Sequence, residues 1–533
     1  MYFDKNNNPK LDNELFKNPT CEYRGVPFWS WNKKLELDQL AEQIEIFKKM
    51  GFGGFNMQVR QGLEDEYLGK TYMDSVRFCS QKAKDEQMLA WLYDEDRWPS
   101  GVAGGFVTKN PEYRQKFIKM CFADKPDCAD TKEQARKTGK PFFLVAFSVQ
   151  IDENGKMVSY KKVDRNENCE GKRYFFLEQR QGGEPRYNYQ SYVDTLDKKA
   201  VDKFKEITYQ SLKNSVGDLF GKSLNAIFTD EPQVYGSLTA KSGFHKNDIG
   251  FTWTTDFDET YKKAYGEDIL DFLPELYYTT DNEHAFKTRF NYYTHVNDRF
   301  CYAYMDNLSA WCEQNGINLT GHVIGEDALW ETMLDNGDNM RCYKNMQIPG
   351  IDILCDDVVY NTPIQCRSVV RQYGKQAMMV ELYGVTGWDF DFRGHKYQGD
   401  WLTCLGVDIR VPHLAWLSMK GEGKRDYPAP ISNQSPWHLE YKYLEDYYAR
   451  IHTALTRGKP QVKIGVIYPV DTFKMIYGAM SESKHIINEI DGNYKQTTEW
   501  LITNGYEFDF ISESLLPELC QKGNNPLSVG KMN

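Results

Sequence analysis

Leu224-Asn-Ala-Ile-Phe-Thr-Asp-Glu-Pro232 decides how the rest of the chain reads. A short apolar run is what a strand looks like when both of its faces are covered, as in a parallel sheet. This one ends in two acids, so Asp230 and Glu231 fall at the carboxyl end of the strand. The segment before it, Lys198 to Asn214, reads as a helix. The segments after it, Phe257 to Leu276 and Phe286 to Asn315, read as helices leading to the strand Asn318-Leu-Thr-Gly-His322.

The same alternation extends both ways. Towards the amino terminus, Arg24-Gly-Val-Pro-Phe-Trp-Ser-Trp31 is a strand, and Leu37, Leu40, Ile44 and Phe47 then recur at helical spacing. Gly53-Gly-Phe-Asn-Met-Gln58 and Leu89-Ala-Trp-Leu-Tyr93 are further strands, with a helix around Tyr72 to Glu86 between them. Towards the carboxyl terminus come the strands Gly350-Ile-Asp-Ile-Leu354, Ala377-Met-Met-Val-Glu381 and Asp408-Ile-Arg-Val-Pro412. Helices Ala328 to Met346, Pro363 to Tyr373, Tyr397 to Leu405 and Leu439 to Arg457 separate and follow them. Eight strands alternating with helices predict an α/β fold, a (β/α)₈ barrel of the TIM type, over residues 16–460. The competing doubly wound sheet usually carries a Gly-rich first turn, which this chain lacks.

Two stretches break the pattern. Residues 107–194 hold the β-like runs Pro141 to Ile151 and Lys172 to Leu177 among polar turns, which predicts a β-rich insertion after the third strand. Beyond Gly458-Lys-Pro460 the alternation restarts with Lys463-Ile-Gly-Val-Ile-Tyr468, a helix at Gln496 to Asn504 and a strand at Glu507 to Ile511. Residues 461–533 therefore read as the start of a second α/β domain, and the chain as a piece of a longer protein.

At 533 residues, more than one domain is expected. A net charge of -11 without a basic run argues against nucleic acid as a partner. No apolar stretch is long enough to cross a bilayer, which argues against a membrane. The start shows no charged segment leading into an apolar one, and the 12 cysteines include no C-x-x-C pair. A cytoplasmic location is the expectation, or a periplasmic or secreted one if a signal peptide has been removed. A second copy of the chain is a further partner to consider. Aromatic residues make up 14% of the chain. Most are expected in the core, but several adjoin strand-end acids, where a sugar ring would find a stacking face.

In a barrel, the carboxyl ends of the strands converge on one mouth, so polar residues there read first as functional. Glu231 ends the fourth strand and Glu381 the seventh, which lets them face each other across it. Cleavage of a glycosidic bond needs such a pair: one carboxyl protonates the leaving oxygen while the other attacks carbon or activates water. Either acid alone has a plainer reading, Glu231 as a helix cap and Glu381 as the partner of a basic side chain. Their joint placement favours catalysis. Asp94, Arg97, His322 and Glu326 are candidates for hydrogen bonds to sugar hydroxyls, Glu326 also for the second carboxylate. Trp31, Trp98 and Trp388 are candidates for stacking. Asp94-Glu-Asp96 and Asp356-Asp357 offer oxygen ligands for a hard cation, but paired acids more often lie on solvated loops.

Asn18-Pro-Thr-Cys-Glu-Tyr-Arg-Gly-Val-Pro-Phe-Trp-Ser-Trp-Asn32, Trp91-Leu-Tyr-Asp-Glu-Asp-Arg-Trp-Pro-Ser-Gly101 and Thr229-Asp-Glu-Pro232 resemble motifs of a group of bacterial glycoside hydrolase-like proteins. So do Gly321-His-Val-Ile-Gly-Glu326, Ile348-Pro-Gly-Ile-Asp352 and Glu381-Leu-Tyr-Gly-Val-Thr-Gly-Trp-Asp389. The group is similar to the α-L-rhamnosidases of glycoside hydrolase family 106 and, more distantly, to the family 42 β-galactosidases. That resemblance implies a retaining glycosidase without a cofactor, with Glu231 as acid/base and Glu381 as nucleophile. It also implies a flavodoxin-like domain from Lys463. Asp230 departs from the retaining pattern, in which an Asn contacts the sugar 2-hydroxyl. The rhamnosidase-like alternative is inverting and brings calcium. Two other readings stand beside these: a barrel that binds carbohydrate without turnover, and a metal-dependent hydrolase or lyase using Asp94, Asp96, His322 and Asp357.

Overall fold

A computed structural model describes residues 10–234, 250–421, 429–479 and 484–520, so the leader at Met1 lies outside the described residues. Parallel strands form two sheets. The first joins β1 (Phe28–Trp31), β2 (Gly54–Val59), β3 (Leu89–Tyr93), β8 (Leu224–Asp230), β10 (Asn318–His322) and β14 (Ala415–Trp416), in the order β10-β8-β3-β2-β1-β14. The second joins β11 (Gly350–Ile353), β12 (Met379–Leu382) and β13 (Ile409–Pro412). The sheets meet at both edges. β13 runs on into β14 after two residues, and the Ile348 N–H donates to the Leu319 carbonyl at 3.1 Å beside β10.

Alternation along these strands sorts their side chains into two cores. Phe28, Trp91, Tyr93, Phe228, Met379 and Val411 belong to a cluster drawn from both sheets, while Trp29, Trp31, Ile227, Ile351 and Val380 pack with the helices. Apolar residues on both faces are what make these strands continuous apolar runs. The fold is mixed α/β, with strands where the sequence places them to within a few residues.

Register fixes which residues meet at the carboxyl ends. Asp230 pairs with His322 across β8 and β10, and Asp352 with Glu381 across β11 and β12. Gly321 permits the first pairing: its φ is +118°, and a Cβ there would lie 1.8 Å from the Thr229 carbonyl oxygen.

Between β3 and β8 lie β4 (Lys116–Cys121), β5 (Phe142–Ile151), β6 (Met157–Val163) and β7 (Lys172–Gln179), which form an antiparallel sheet. The sequence reading found two of these four. It also missed β9 (Gly250–Trp253), which comes after β8 yet completes this sheet beside β4. Strand pairing across more than a hundred residues leaves no local pattern to read.

Long helical runs are interrupted where one was expected. Thr208 separates Lys198–Ile207 from Tyr209–Val216, and a π-helical turn, Cys301–Met305, divides Glu283–Phe300 from Asp306–Gln314. Near the carboxyl terminus, β15 (Ile464–Ile467) and β16 (Phe508–Ile511) pair in parallel around the helix Lys484–Thr503. This unit packs on the helix Asn361–Tyr373, where Ser368 Oγ accepts from the Phe510 N–H at 2.8 Å and Arg371 pairs with Asp509 at 3.1 Å.

One buried ion pair ties strand to helix. Arg410 on β13 meets Glu445 of the helix Lys442–Leu455 at 2.7 Å, both almost fully buried, and Glu445 also accepts from the Gly25 N–H at 2.8 Å. Removing one member of such a pair strands the other charge out of water. Glu445→Ala is therefore expected to lower stability to urea by about 3–5 kcal/mol, whereas a loss below about 1 kcal/mol, the value of a surface pair, would contradict this account.

Candidate active site

The strands deliver a ring of polar side chains at their carboxyl ends: Arg60 after β2, Tyr93 on β3, Asp230 and Glu231 at β8, His322 on β10, Asp352 on β11, Glu381 on β12 and His413 after β13. Most are buried, Asp230, His322 and Glu381 among them, and Glu231 is half-buried. Lone Asp or Glu residues are seldom buried unless paired, so the arrangement calls for counter-charges and donors.

His322 supplies the central one. Its Nε2 lies 3.0 Å from Glu381 Oε2 and 3.3 Å from Asp230 Oδ1. Burial opposes its charge, but the two accepting carboxylates overcome that and hold the imidazole protonated well above its ordinary range. Burial pushes the Glu381 carboxyl up, and its bond from His322 draws it back. Arg60 donates to His413 Nε2 at 2.6 Å. Burial and that guanidinium keep His413 neutral, well below its usual value.

Glu231 differs from its neighbours. Its backbone is in the left-handed region, φ 48°, where a residue with a side chain sits at a cost of order 1–3 kcal/mol. Its N–H donates to the His322 carbonyl at 3.2 Å, which fixes the turn. Burial, then Asp230, raise its carboxyl to about 7, with Glu381 adding to the shift while His322 and Arg186 oppose it. Glu231 is thus a carboxylic acid that keeps its proton near neutrality. Asp230 has both oxygens engaged, Oδ2 by the Tyr93 hydroxyl and Oδ1 by His322.

The structure separates the remaining sequence candidates. Trp98 stands at the rim between two guanidiniums, Arg60 at 4.4 Å and Arg186 at 5.2 Å from its ring. Trp388 is 67% exposed on the loop after β12 and presents an open face. Trp31 does not reach the rim. It points outward on β1, fully buried against Trp29 and Tyr72, because alternate strand residues face opposite ways.

Asp94 is also withdrawn: fully buried, it accepts from Ser100 at 2.6 Å and Tyr209 at 2.8 Å, and burial raises it to about 7. Arg97 pairs with Asp96 at 3.0 Å and also donates to Asn188, so it holds the loop over Trp98. Between them, Glu95 accepts from the N–H groups of Asp96 and of Gly101 through Gly104, which organises the turn. Glu326 lies behind β11, accepting from the Tyr343 hydroxyl and from the Asp352 N–H at 3.0 Å. That places it as a support for Asp352, not as the second carboxylate.

Five rim residues escaped the sequence reading: Arg60, Tyr93, Asp352, His413 and Arg186. Asp352 could have been found by counting in twos along Gly350-Ile-Asp-Ile, which puts the acid on the same face as Glu381. Arg186 had no such signal, since it arrives on a loop of the antiparallel region.

Asp230, Glu231 and His322, and likewise His322, Asp352 and Glu381, each bring one ligand atom within 4.8 Å of the others. Calcium takes six to eight oxygens. Here the centre of both sets is an imidazole whose Nε2–H already faces two of the carboxylates, so a cation would have to displace that proton. The donor set fits calcium poorly. The alternative metal set fails too, because Asp94 and Asp96 are committed to protein partners. No helix among the described residues is long and apolar enough to cross a membrane.

No protein-family model matches the chain. A Formosa agariphila protein provisionally named a β-glucuronidase is 22% identical over 281 residues, 50% of this chain and 22% of that protein. A rhamnosidase from Novosphingobium sp. PP1Y superposes with a TM-score of 0.67 at 14% identity, covering 98% of this chain and 66% of that one. A catalytic mutant of a family 42 β-galactosidase from G. stearothermophilus gives 0.51 at 11% identity, over 92% and 66%. The chain therefore has a glycoside hydrolase-like, TIM-barrel-like fold and spans only part of the length of these proteins.

The raised Glu231 carboxyl has a measurable consequence. Folded Glu231 keeps its proton to about 7, while in the unfolded chain it ionises near the ordinary value of 4.5. The folded state thus binds more protons in that window, and Glu231's contribution to stability, complete below it, is lost as pH rises through about 7. Urea unfolding of the protein against Glu231→Gln should show the difference falling across this interval. A difference independent of pH would mean that Glu231 is ionised throughout.

Proposed function

We propose that the protein is a retaining glycoside hydrolase that releases a terminal sugar, with Glu231 as acid/base and Glu381 as nucleophile. In this reading the parallel strands close into a (β/α)₈ barrel in which β13 and β14 share the eighth position, residues 107–194 are an insertion on it, and residues 461–533 begin a flavodoxin-like domain. The observation that carries the function is the contrast between two carboxyls at one rim. Glu231 holds a proton to about 7, whereas Glu381 accepts a bond from an imidazolium at 3.0 Å. Burial raises both carboxyls, but only Glu381 carries an imidazolium bond that opposes the rise, so this reading gives Glu231 the role of acid and Glu381 that of anion in glycoside cleavage.

The steps follow. Glu231 gives its proton to the glycosidic oxygen as the bond from that oxygen to the anomeric carbon breaks, and a Glu381 oxygen bonds to the carbon. Water then attacks the same carbon, passes a proton to the Glu231 carboxylate, and Glu381 leaves as an anion. A donor clamped on Glu381 weakens it as a base towards water and stabilises it as a leaving group, which favours retention over inversion. Trp388 supplies a stacking face, and the His322 bond orients Glu381 and opposes the rise that burial imposes on it.

Aryl α-L-rhamnosides, β-glucuronides and β-galactosides come first in a substrate panel, given the names of the similar proteins. Glu231→Gln and Glu381→Gln are each expected to lower kcat/KM by roughly 10³-fold or more while leaving the fold intact. The wild-type rate should decline as pH rises through about 7, where Glu231 gives up its proton. Normal turnover by Glu381→Gln would exclude it as nucleophile. Silence of the wild type across the panel, with sugar binding intact, would leave a binding barrel.

Dialysis against EDTA separates this mechanism from the calcium-dependent inverting one. The rate should be unchanged, because the positive charge between the carboxylates is the His322 proton. A loss reversed by added calcium would favour the inverting alternative.

A further inference from the structure

Asp352 has no place in the acid–nucleophile pair, yet its carboxyl is incompletely bonded. Its Oδ1 is shut off from solvent and lacks a hydrogen-bond partner. It sits opposite Glu381 in the β11–β12 register, and one of its oxygens lies within 4.8 Å of ligand atoms of both Glu381 and His322. Burial first, then the charge of Glu381, raise its carboxyl well above the ordinary range, with His322 opposing. An unmet buried acceptor costs about 1–3 kcal/mol, and such groups call for an explanation in a ligand or a function.

Asp352 as a whole is only part-buried, and three features restrict what its carboxyl can meet. Asp230, the other acid facing His322, is engaged through both oxygens by Tyr93 and His322. Asp352 is held from behind, its N–H donating to Glu326 at 3.0 Å, so its backbone is fixed. Finally, an Asp352 oxygen and a Glu381 oxygen lie within 4.8 Å of each other, a span that one further oxygen bridges at about 2.7 Å from each. A hydroxyl fits that gap, whereas a carboxylate on the substrate would meet two acids there.

We propose that Asp352 is a substrate-binding, specificity-determining residue that takes the hydroxyl on the carbon next to the anomeric centre. The inference rests on the glycosidase reading: with Glu381 addressing the anomeric carbon, the neighbouring carbon carries the hydroxyl nearest to Asp352. The terminal sugar is then one with a free hydroxyl at that position, and 2-deoxy and 2-O-substituted glycosides are excluded.

The test is a two-by-two comparison of the protein and Asp352→Asn on the aryl glycoside turned over in the panel and on its 2-deoxy analogue. Wild type should prefer the hydroxylated substrate by roughly 100-fold or more, and the variant by about threefold or less. Asp352→Asn is nearly isosteric with the neutral acid that burial favours here, so it should melt no lower than wild type. Asp352→Ala serves as a second variant and should show the same loss of preference. Thermal protection by the free sugar and by its 2-deoxy form gives a readout independent of turnover.

Full discrimination retained by both variants would overturn the contact while leaving the glycosidase reading intact. Coupling to a 3- or 4-deoxy analogue in place of the 2-deoxy one would overturn the position assigned. A wild type neither active on any glycoside nor protected by any sugar would remove both the reading and the inference.

Discussion

A single N–H bond governs this rim. His322 Nε2 faces Asp230 and Glu381 at 3.3 and 3.0 Å, and Glu231 and Asp352 lie around the same ring. Two like charges 4 Å apart repel by about 4 kcal/mol at the effective dielectric of a protein surface, so four ionised acids could not stand together here. The imidazolium neutralises one charge and Arg60 bears on Glu381, while protons on the rest relieve the remainder. Burial raises the Glu381 carboxyl too, but its contact with the cation offsets part of that rise. Glu231 and Asp352 are pushed towards the neutral form.

Much of this was legible in the sequence. The strands are short apolar runs covered on both faces, so composition alone marks them, and Glu231 and Glu381 were placed by counting those strands. His322 followed from its position after Thr320 and Gly321 at the end of β10. What the sequence hid is of three physical kinds. Facing is one: Trp31 and Asp94 belong to the right segments, but alternation turns one outward and the other is bonded beneath the rim. Long-range pairing is another, for β9 joins a sheet begun more than a hundred residues earlier. Backbone conformation is the third, since nothing in Thr-Asp-Glu-Pro announces a left-handed Glu231.

The segment Asp94 to Gly104 shows how a motif can be informative without being catalytic. Its acids suggested ligands for a sugar or a metal. Each is consumed instead: Asp94 by Ser100 and Tyr209, Glu95 by five backbone N–H groups, Asp96 by Arg97 and Asn188. The result is a rigid turn in which the Ser100 hydroxyl also accepts from the Asp230 N–H at 2.9 Å. The acids thus act at one remove, by holding the end of β8 and the Trp98 ring in place.

That support is what allows the rim to exist. A left-handed Glu231, crowded carboxyls and an acceptor without a partner each work against the folded state. A scaffold relaxed around any one of them would let the chain turn Glu231 outward, and its carboxyl would then ionise at the ordinary value. The Glu95 turn, the Arg410–Glu445 pair and the Asp230–His322 register prevent this, because each fixes backbone on which a rim residue is mounted. The proton on Glu231 is therefore a property of the whole sheet: it persists only as long as the strands on either side of β8 leave the acid nowhere else to go.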